Sequence, residues 1–142
     1  MDLIKTFQKF FQQLVLLYVP FENKLNIQLG KHHLYRAQWS VLYYLSNNGS
    51  ATLVELSNYQ SVEKPTVTRT INRLEELEYV EHVLSKDRRE KRMQLTELGK
   101  KVYKDVRVMI DQFEQDILKG ISEEEKYEAI RIMKEIRNNR KE

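Results

Sequence analysis

The sequence predicts a mainly α fold of the α+β class, with helices throughout and one β-hairpin. Apolar residues recur every three or four positions along most of the chain, the period of a helix with one buried face. One stretch after residue 78 changes to alternation, the period of a strand. Four Gly and two Pro in 142 residues leave little room for linkers or an all-β architecture. The length suits a single domain over residues 1–142. A mixture of 32% charged and 41% hydrophobic residues is that of a globular chain.

Ile4, Phe7, Phe11, Leu14, Tyr18, Phe21, Leu25 and Leu29 form the first helical stripe. Pro20 is expected to kink this helix or split it in two, because it lacks an N–H and its ring crowds the preceding turn. The stripe is too wide and aromatic for a lone helix to hide, so it needs the rest of the domain or a second subunit. A second helix carries Ala37, Val41, Leu42 and Leu45, with Trp39 nearby. It stops at Asn47-Asn48-Gly49, residues that accept left-handed backbone. Thr52 with Glu55 reads as a capping box opening a short helix that bears Leu53, Leu56 and Tyr59. Pro65 is tolerated only in a first turn, so a new helix starts near Lys64 and runs to about Glu78. Residues 79–85 and 92–95 alternate on either side of a charged loop, a β-hairpin with an extended tip. Thr96 caps a long helix on which Leu98, Val102, Val106, Met109, Phe113 and Ile117 step towards Gly120. Ser122 with Glu125 is a second capping box, and Tyr127, Ile130, Met133 and Ile136 mark the last helix.

Composition narrows the function classes. There is no Cys, which excludes disulfides, thiol redox sensing and Cys-ligated metal. The longest apolar run, residues 14–19, is far short of the ~20 residues of a membrane span, and the N-terminus lacks a basic start. A cytoplasmic protein without a membrane partner is expected. No glycine-rich phosphate loop, nucleophile elbow or paired catalytic carboxylate motif is present, so no enzyme is expected. His32 and His33 are adjacent and would point about 100° apart on a helix, and His82 is distant, so neither metal nor cofactor is expected. The formal charge of +3 leans towards a polyanion, but its distribution matters more.

That distribution is uneven. On a wheel of about 100° per residue, Val67, Thr70, Ile71, Leu74 and Leu77 share one side of the helix that begins at Lys64. Pro65, Thr68, Arg69, Asn72 and Arg73 occupy the other. Between Lys64 and Arg73 there is no acid; Glu75, Glu76 and Glu78 follow only at the far end. Arg bonds guanine through two donors, Asn pairs with adenine, and a Thr methyl meets the thymine methyl, so these residue types suit a major groove. The short helix before it completes a helix-turn-helix. Read alone, the same segment is also an ordinary surface helix with solvated Arg side chains. The hairpin tip adds Lys86, Arg88, Arg89, Lys91 and Arg92, with Asp87 placed to orient Arg89. A basic loop of this kind fits the negative potential of a narrow minor groove. Alone it is a charged turn; directly after a basic helix-turn-helix it makes one continuous positive face.

At this point the sequence resembles the MarR (multiple antibiotic resistance regulator) family over residues 34–103. The resemblance rests on Gln38-Trp39-x-x-Leu42 and Leu45, Thr52-Leu53-x-Glu55-Leu56, Pro65-Thr66-Val67-Thr68-Arg69 and Asn72-Arg73-Leu74-Glu75. It ends on Asp87-Arg88-Arg89 running on to Leu95-Thr96-x-x-Gly99. The order and spacing of these pieces are specific where each alone is weak. The resemblance implies a winged helix-turn-helix over residues 34–99 flanked by N- and C-terminal dimerisation helices, residues 1–33 and 100–142. It implies a homodimer on a double-stranded operator, most often a repressor released by a small aromatic effector. Carried over by position, Thr66, Thr68, Arg69 and Arg73 match recognition-helix contacts, Arg89 the wing Arg and Asp87 its orienting acid. With Lys64, Pro65, Asn72, Arg88 and Lys91 these form the expected DNA-binding set.

Three positions depart from the family pattern. Glu63 stands where Ser or Asp usually caps the recognition helix, Glu78 replaces the Gly that usually ends it, and Gln60 replaces an apolar residue. A non-Gly residue at 78 either strains the backbone or changes the helix ending. Trp39, Tyr43 and Tyr44 read two ways, as core aromatics at helical spacing or as walls of an effector cleft. If a cleft is present, the family places it between the dimerisation helices and the DNA-binding lobe, with Tyr18, Phe21, His33, Trp39 and Tyr43 as its candidate residues. A competing function is a winged helix that docks an acidic protein rather than DNA, and a third is an N-terminal helix lying on a membrane surface.

Overall fold

The computed structural model describes residues 3–84 and 91–140. The chain forms two compact units, Met1–Val108 and Met109–Glu142. Its elements run α1 (Thr6–Gly30), α2 (Arg36–Asn48), β1 (Ala51–Thr52), α3 (Leu53–Gln60), α4 (Lys64–Glu76), β2 (Val80–His82), β3 (Arg92–Leu95), α5 (Glu97–Ile117) and α6 (Glu123–Asn139). The expected order of four helices, a hairpin and two helices is present. Strand β1 is an addition that two residues are too short to announce by alternation. The sheet is antiparallel in the order β1-β3-β2, with Val80 opposite Leu95, His82 opposite Met93 and Thr52 opposite Arg92. α2, α3, α4 and this sheet form a winged helix-turn-helix, its core built on Leu42, Leu45, Leu56, Val67, Leu74 and Met93.

Pro20 does not split the first helix. α1 runs unbroken through it, because one missing N–H removes a single hydrogen bond from a 25-residue element. The N-terminal half of α1 is open to solvent: residues 3–20 are all exposed, and of the helix only Leu25 and Leu29 are buried. Helix starts are fixed by short reaches of side chain to backbone. Gln8 Oε1 accepts from Lys5 N (2.8 Å) and Gln38 Oε1 from Tyr35 N (3.0 Å). The capping box expected at α3 is only half formed. Thr52 Oγ1 accepts from Glu55 N (3.1 Å), but the Glu55 carboxylate turns away to Arg92. At α6 both halves form, and the bonds from Ser122 hold the Glu125 carboxyl below the usual carboxylate range.

Helix ends use non-glycine residues in left-handed backbone: His33 (φ 61), Ser61 (φ 55) and Glu78 (φ 62). In each, the N–H of the next residue reaches back five positions: Leu34 to Leu29 O, Val62 to Ser57 O, Tyr79 to Leu74 O. Glu78 thus resolves its departure from the family pattern by strain, keeping the ending a Gly would give. Gln60 likewise finds a role, donating Nε2 to Ala37 O (2.9 Å) and so tying α3 to α2.

In the second unit, the α5 stripe closes less than expected. Ile110, outside that stripe, is buried, whereas Met109 and Phe113 are half-buried and Ile117 is exposed. α6 has no buried residue, and Tyr127, Ile130 and Met133 are exposed along it. No helix among the described residues is long and apolar enough to cross a membrane.

Candidate nucleic-acid interface

The second helix of the helix-turn-helix divides as the wheel requires. Val67, Thr70, Ile71 and Leu74 are buried, while Lys64, Pro65, Arg69, Asn72 and Arg73 are exposed and Thr66 and Thr68 half-buried. Pro65 sits in the first turn, where a missing N–H costs nothing. Glu63 occupies the cap without a side-chain bond; its carbonyl accepts from Thr66 N (3.0 Å). The hydroxyls of Thr68 and Thr70 donate back to Lys64 O and Thr66 O (3.0 and 3.1 Å), fixing their rotamers. Arg69 Nη2 reaches Thr66 Oγ1 at 3.4 Å, a long bond that leaves its guanidinium available. Arg73 Nη1 pairs with Glu76 at 3.0 Å, with side chains 50% and 67% exposed. An exposed pair of this kind is worth little, so a phosphate or base edge can displace Glu76.

Lys91 lies beside this face. A cavity of about 100 Å³ between α4 and the hairpin is lined by Thr68, Asn72, Glu75, His82 and Lys91 among others. Asp87, Arg88 and Arg89, with Lys86, lie outside the described residues. Arg92, counted by sequence with the basic tip, instead faces the protein. Its Nη2 donates to Glu55 Oε1 and its Nη1 to Ser50 Oγ, both at 3.0 Å.

The carboxyl end of α4 is bolted to α5. Thr96 Oγ1 donates to Glu78 O (2.6 Å) and accepts from Gly99 N (2.9 Å), while Thr96 N donates to Tyr79 O (3.1 Å). A Cβ on Gly99 would stand 2.0 Å from Tyr79 O, so only glycine allows this approach. Tyr79 is itself buried and donates its hydroxyl to His32 O (3.3 Å). The Leu95-Thr96-x-x-Gly99 pattern is therefore a joint between recognition helix and α5, a role sequence spacing alone did not assign.

The candidate effector residues are distributed as follows. Trp39 is buried, stacked on Tyr103 at 5.1 Å with the Arg107 guanidinium 5.8 Å from its ring. Tyr18 is exposed and accepts from Arg36 Nη1 at 3.3 Å. Tyr43 and His33 are exposed and Phe21 is half-buried. Tyr44 packs against Tyr59, ring centroids 4.8 Å apart. A larger cavity of about 340 Å³ lies elsewhere, lined by Leu45, Gly49, Glu81, Gln94, Glu97 and Lys100 among others. Among the described residues no group of three or more His, Asp or Glu is placed to hold a metal ion.

Comparison with known proteins agrees with this architecture. A sequence model of the MarR family matches residues 34–90. An uncharacterized HTH-type transcriptional regulator of Bacillus subtilis, YwoH, is 44% identical over 103 residues, which span 72% of this chain and 75% of that one. The solved structure of Staphylococcus aureus MarR in complex with salicylate and kanamycin superposes with a TM-score of 0.81 at 29% identity, covering 92% of this chain and 89% of that one. A mutant MarR from E. coli complexed with operator DNA shares the fold, with a TM-score of 0.78 at 22% identity over 96% of this chain and 99% of that one. An exposed, acid-free helix face in a winged helix-turn-helix, together with relatives that regulate transcription, leads to one assignment: the chain belongs to the MarR family of DNA-binding transcriptional regulators.

Proposed function

We propose that this regulator is a cytoplasmic, non-enzymatic homodimer that represses transcription from a pseudo-palindromic operator and is released by a small aromatic effector. The observation that carries the reading is the outer face of α4, where Lys64, Arg69, Asn72 and Arg73 stand exposed with no acid before Glu75 and with Lys91 alongside. Recognition is assigned to Lys64, Pro65, Thr66, Thr68, Arg69, Asn72 and Arg73 in the major groove. Asp87, Arg88, Arg89 and Lys91 of the hairpin are assigned to the minor groove. Homodimerisation is supported by apolar side chains that their own unit leaves uncovered: Phe7, Phe11, Leu14 and Leu17 in the first, Tyr127, Ile130 and Met133 in the second. The effector is supported by the salicylate complex of the Staphylococcus aureus relative. Tyr18, Phe21, His33, Trp39 and Tyr43 are its candidate residues.

The test is selection of bound sequences from random duplexes by the purified protein, followed by a salt series on the winner. Enrichment of a pseudo-palindrome with half-sites about one helical turn apart and a steep salt dependence is expected. A stable dimer that enriches no sequence would overturn the operator reading and direct attention to an acidic protein partner.

A further inference from the structure

Glu55 stands at the third position of α3, where its carboxylate would ordinarily turn back to close the capping box with Thr52. It reaches across the lobe instead. Arg92 Nη2 donates to Glu55 Oε1 and Arg92 Nη1 to Ser50 Oγ, each at 3.0 Å, so both terminal nitrogens of one guanidinium are engaged by residues flanking β1. The pair is partly shielded, with side chains 29% and 41% exposed. Backbone pairing sets it up, since Arg92 lies opposite Thr52 in the β1–β3 ladder. The next residue, Met93, is buried in the core. On the same side of β3, Gln94 Nε2 donates to Glu81 Oε1 (3.0 Å) and ties β3 to β2.

We propose that Arg92 is a positioning residue rather than a DNA contact. Through Glu55 and Ser50 it locks the base of the hairpin to the start of the helix-turn-helix, so that β3 and the recognition helix keep one geometry towards DNA. A two-residue strand supplies few ladder bonds, so β1 alone holds this edge of the hairpin weakly. The guanidinium fork adds two directional bonds that a lysine ammonium has no planar geometry to match. The inference rests on the reading that the wing binds DNA.

Charge makes the test sharp. If Glu55 were merely an acid near a polyanion, Glu55→Gln would leave operator affinity unchanged or raise it. If it anchors Arg92, the same change lowers affinity. We expect Glu55→Gln and Arg92→Lys each to weaken operator binding about three- to tenfold. The salt slope should not change, whereas losing a phosphate contact lowers it by about one. Both effects should largely disappear in an Arg89→Ala background, where the wing has little left to deliver. Circular dichroism and sedimentation on each full-length variant check that fold and oligomeric state persist.

Tighter or unchanged binding by Glu55→Gln, while Arg89→Ala alone weakens binding, overturns the clamp and leaves the wing reading intact. Equal losses from Glu55→Gln in both backgrounds also overturn it, because the contact then serves the helix-turn-helix alone. Unchanged affinity for Arg89→Ala removes the wing from DNA binding, and the clamp's role with it.

Discussion

Two stretches with the same apolar period meet opposite fates. In the helix-turn-helix lobe the periodic positions close on one another: Leu42, Leu45, Leu56, Val67 and Leu74 are almost inaccessible to solvent. In α1 the stripe from Phe7 to Tyr18 is exposed at every position. Periodicity states that a face is to be buried; it does not state whose atoms cover it. The lobe carries its own cover, and the N-terminal stripe of the first helix stays exposed.

The contrast can be broken from the lobe side by Gly99→Ala. The new methyl meets a backbone oxygen that has no rotamer to escape into, so a loss of about 3 kcal/mol is expected in urea unfolding. A change within error would mean the joint between α4 and α5 is compliant. From the other side, Leu14→Asp should cost ~2–4 kcal/mol of dimerisation while leaving the far-ultraviolet spectrum of the lobe intact. Sedimentation equilibrium reads this directly, and a variant as dimeric as the parent would take α1 out of the interface.

Function sharpens the comparison further. Arg69→Ala should remove ~1–3 kcal/mol of specific operator binding with little effect on stability. An equal loss on random duplex would reassign Arg69 to a phosphate. Glu78→Gly should do the reverse, raising stability by about 1 kcal/mol through relief of the left-handed residue, with operator affinity kept. The smallest effect belongs to α6. Because the carboxyl of Glu125 titrates lower in the fold than in the unfolded chain, its contribution is present above the unfolded value and lost as pH falls through the lowered one. Glu125→Gln should flatten that acid-side loss of helicity, and an unaltered pH profile would show the cap to be idle.

Much of the fold was legible because its signals are local. Pro65 marks a first turn, Ser122 with Glu125 marks another, and the buried face of α4 follows from spacing alone. What escaped depends on partners far apart in sequence. Arg92 reads as one more cation of a basic tip until its bonds to Ser50 and Glu55 are in view. Gly99 reads as a helix residue until Tyr79 is beside it. Of the kink or break that Pro20 offers, the break does not occur, because a local rule weighs one hydrogen bond and not the helix around it. The candidate effector residues are scattered between an exposed Tyr18 and a stacked Trp39, since period alone does not distinguish a wall from a core.

The Thr96 joint has a consequence for how chains of this design can change length. One hydroxyl and one backbone N–H lock the end of α4, and the same hydroxyl accepts the Gly99 N–H that starts α5. An extra residue between Leu95 and Gly99 would turn the rest of α5 by about 100° and carry the glycine away from Tyr79. A residue added within the paired strands would flip the faces that bury Met93 and Leu95. Between β2 and Gly99, changes of length are therefore tolerated only in the segment joining β2 to β3, where neither phase is at stake. Lineages that need a longer or shorter reach towards DNA have that one place in the hairpin to find it.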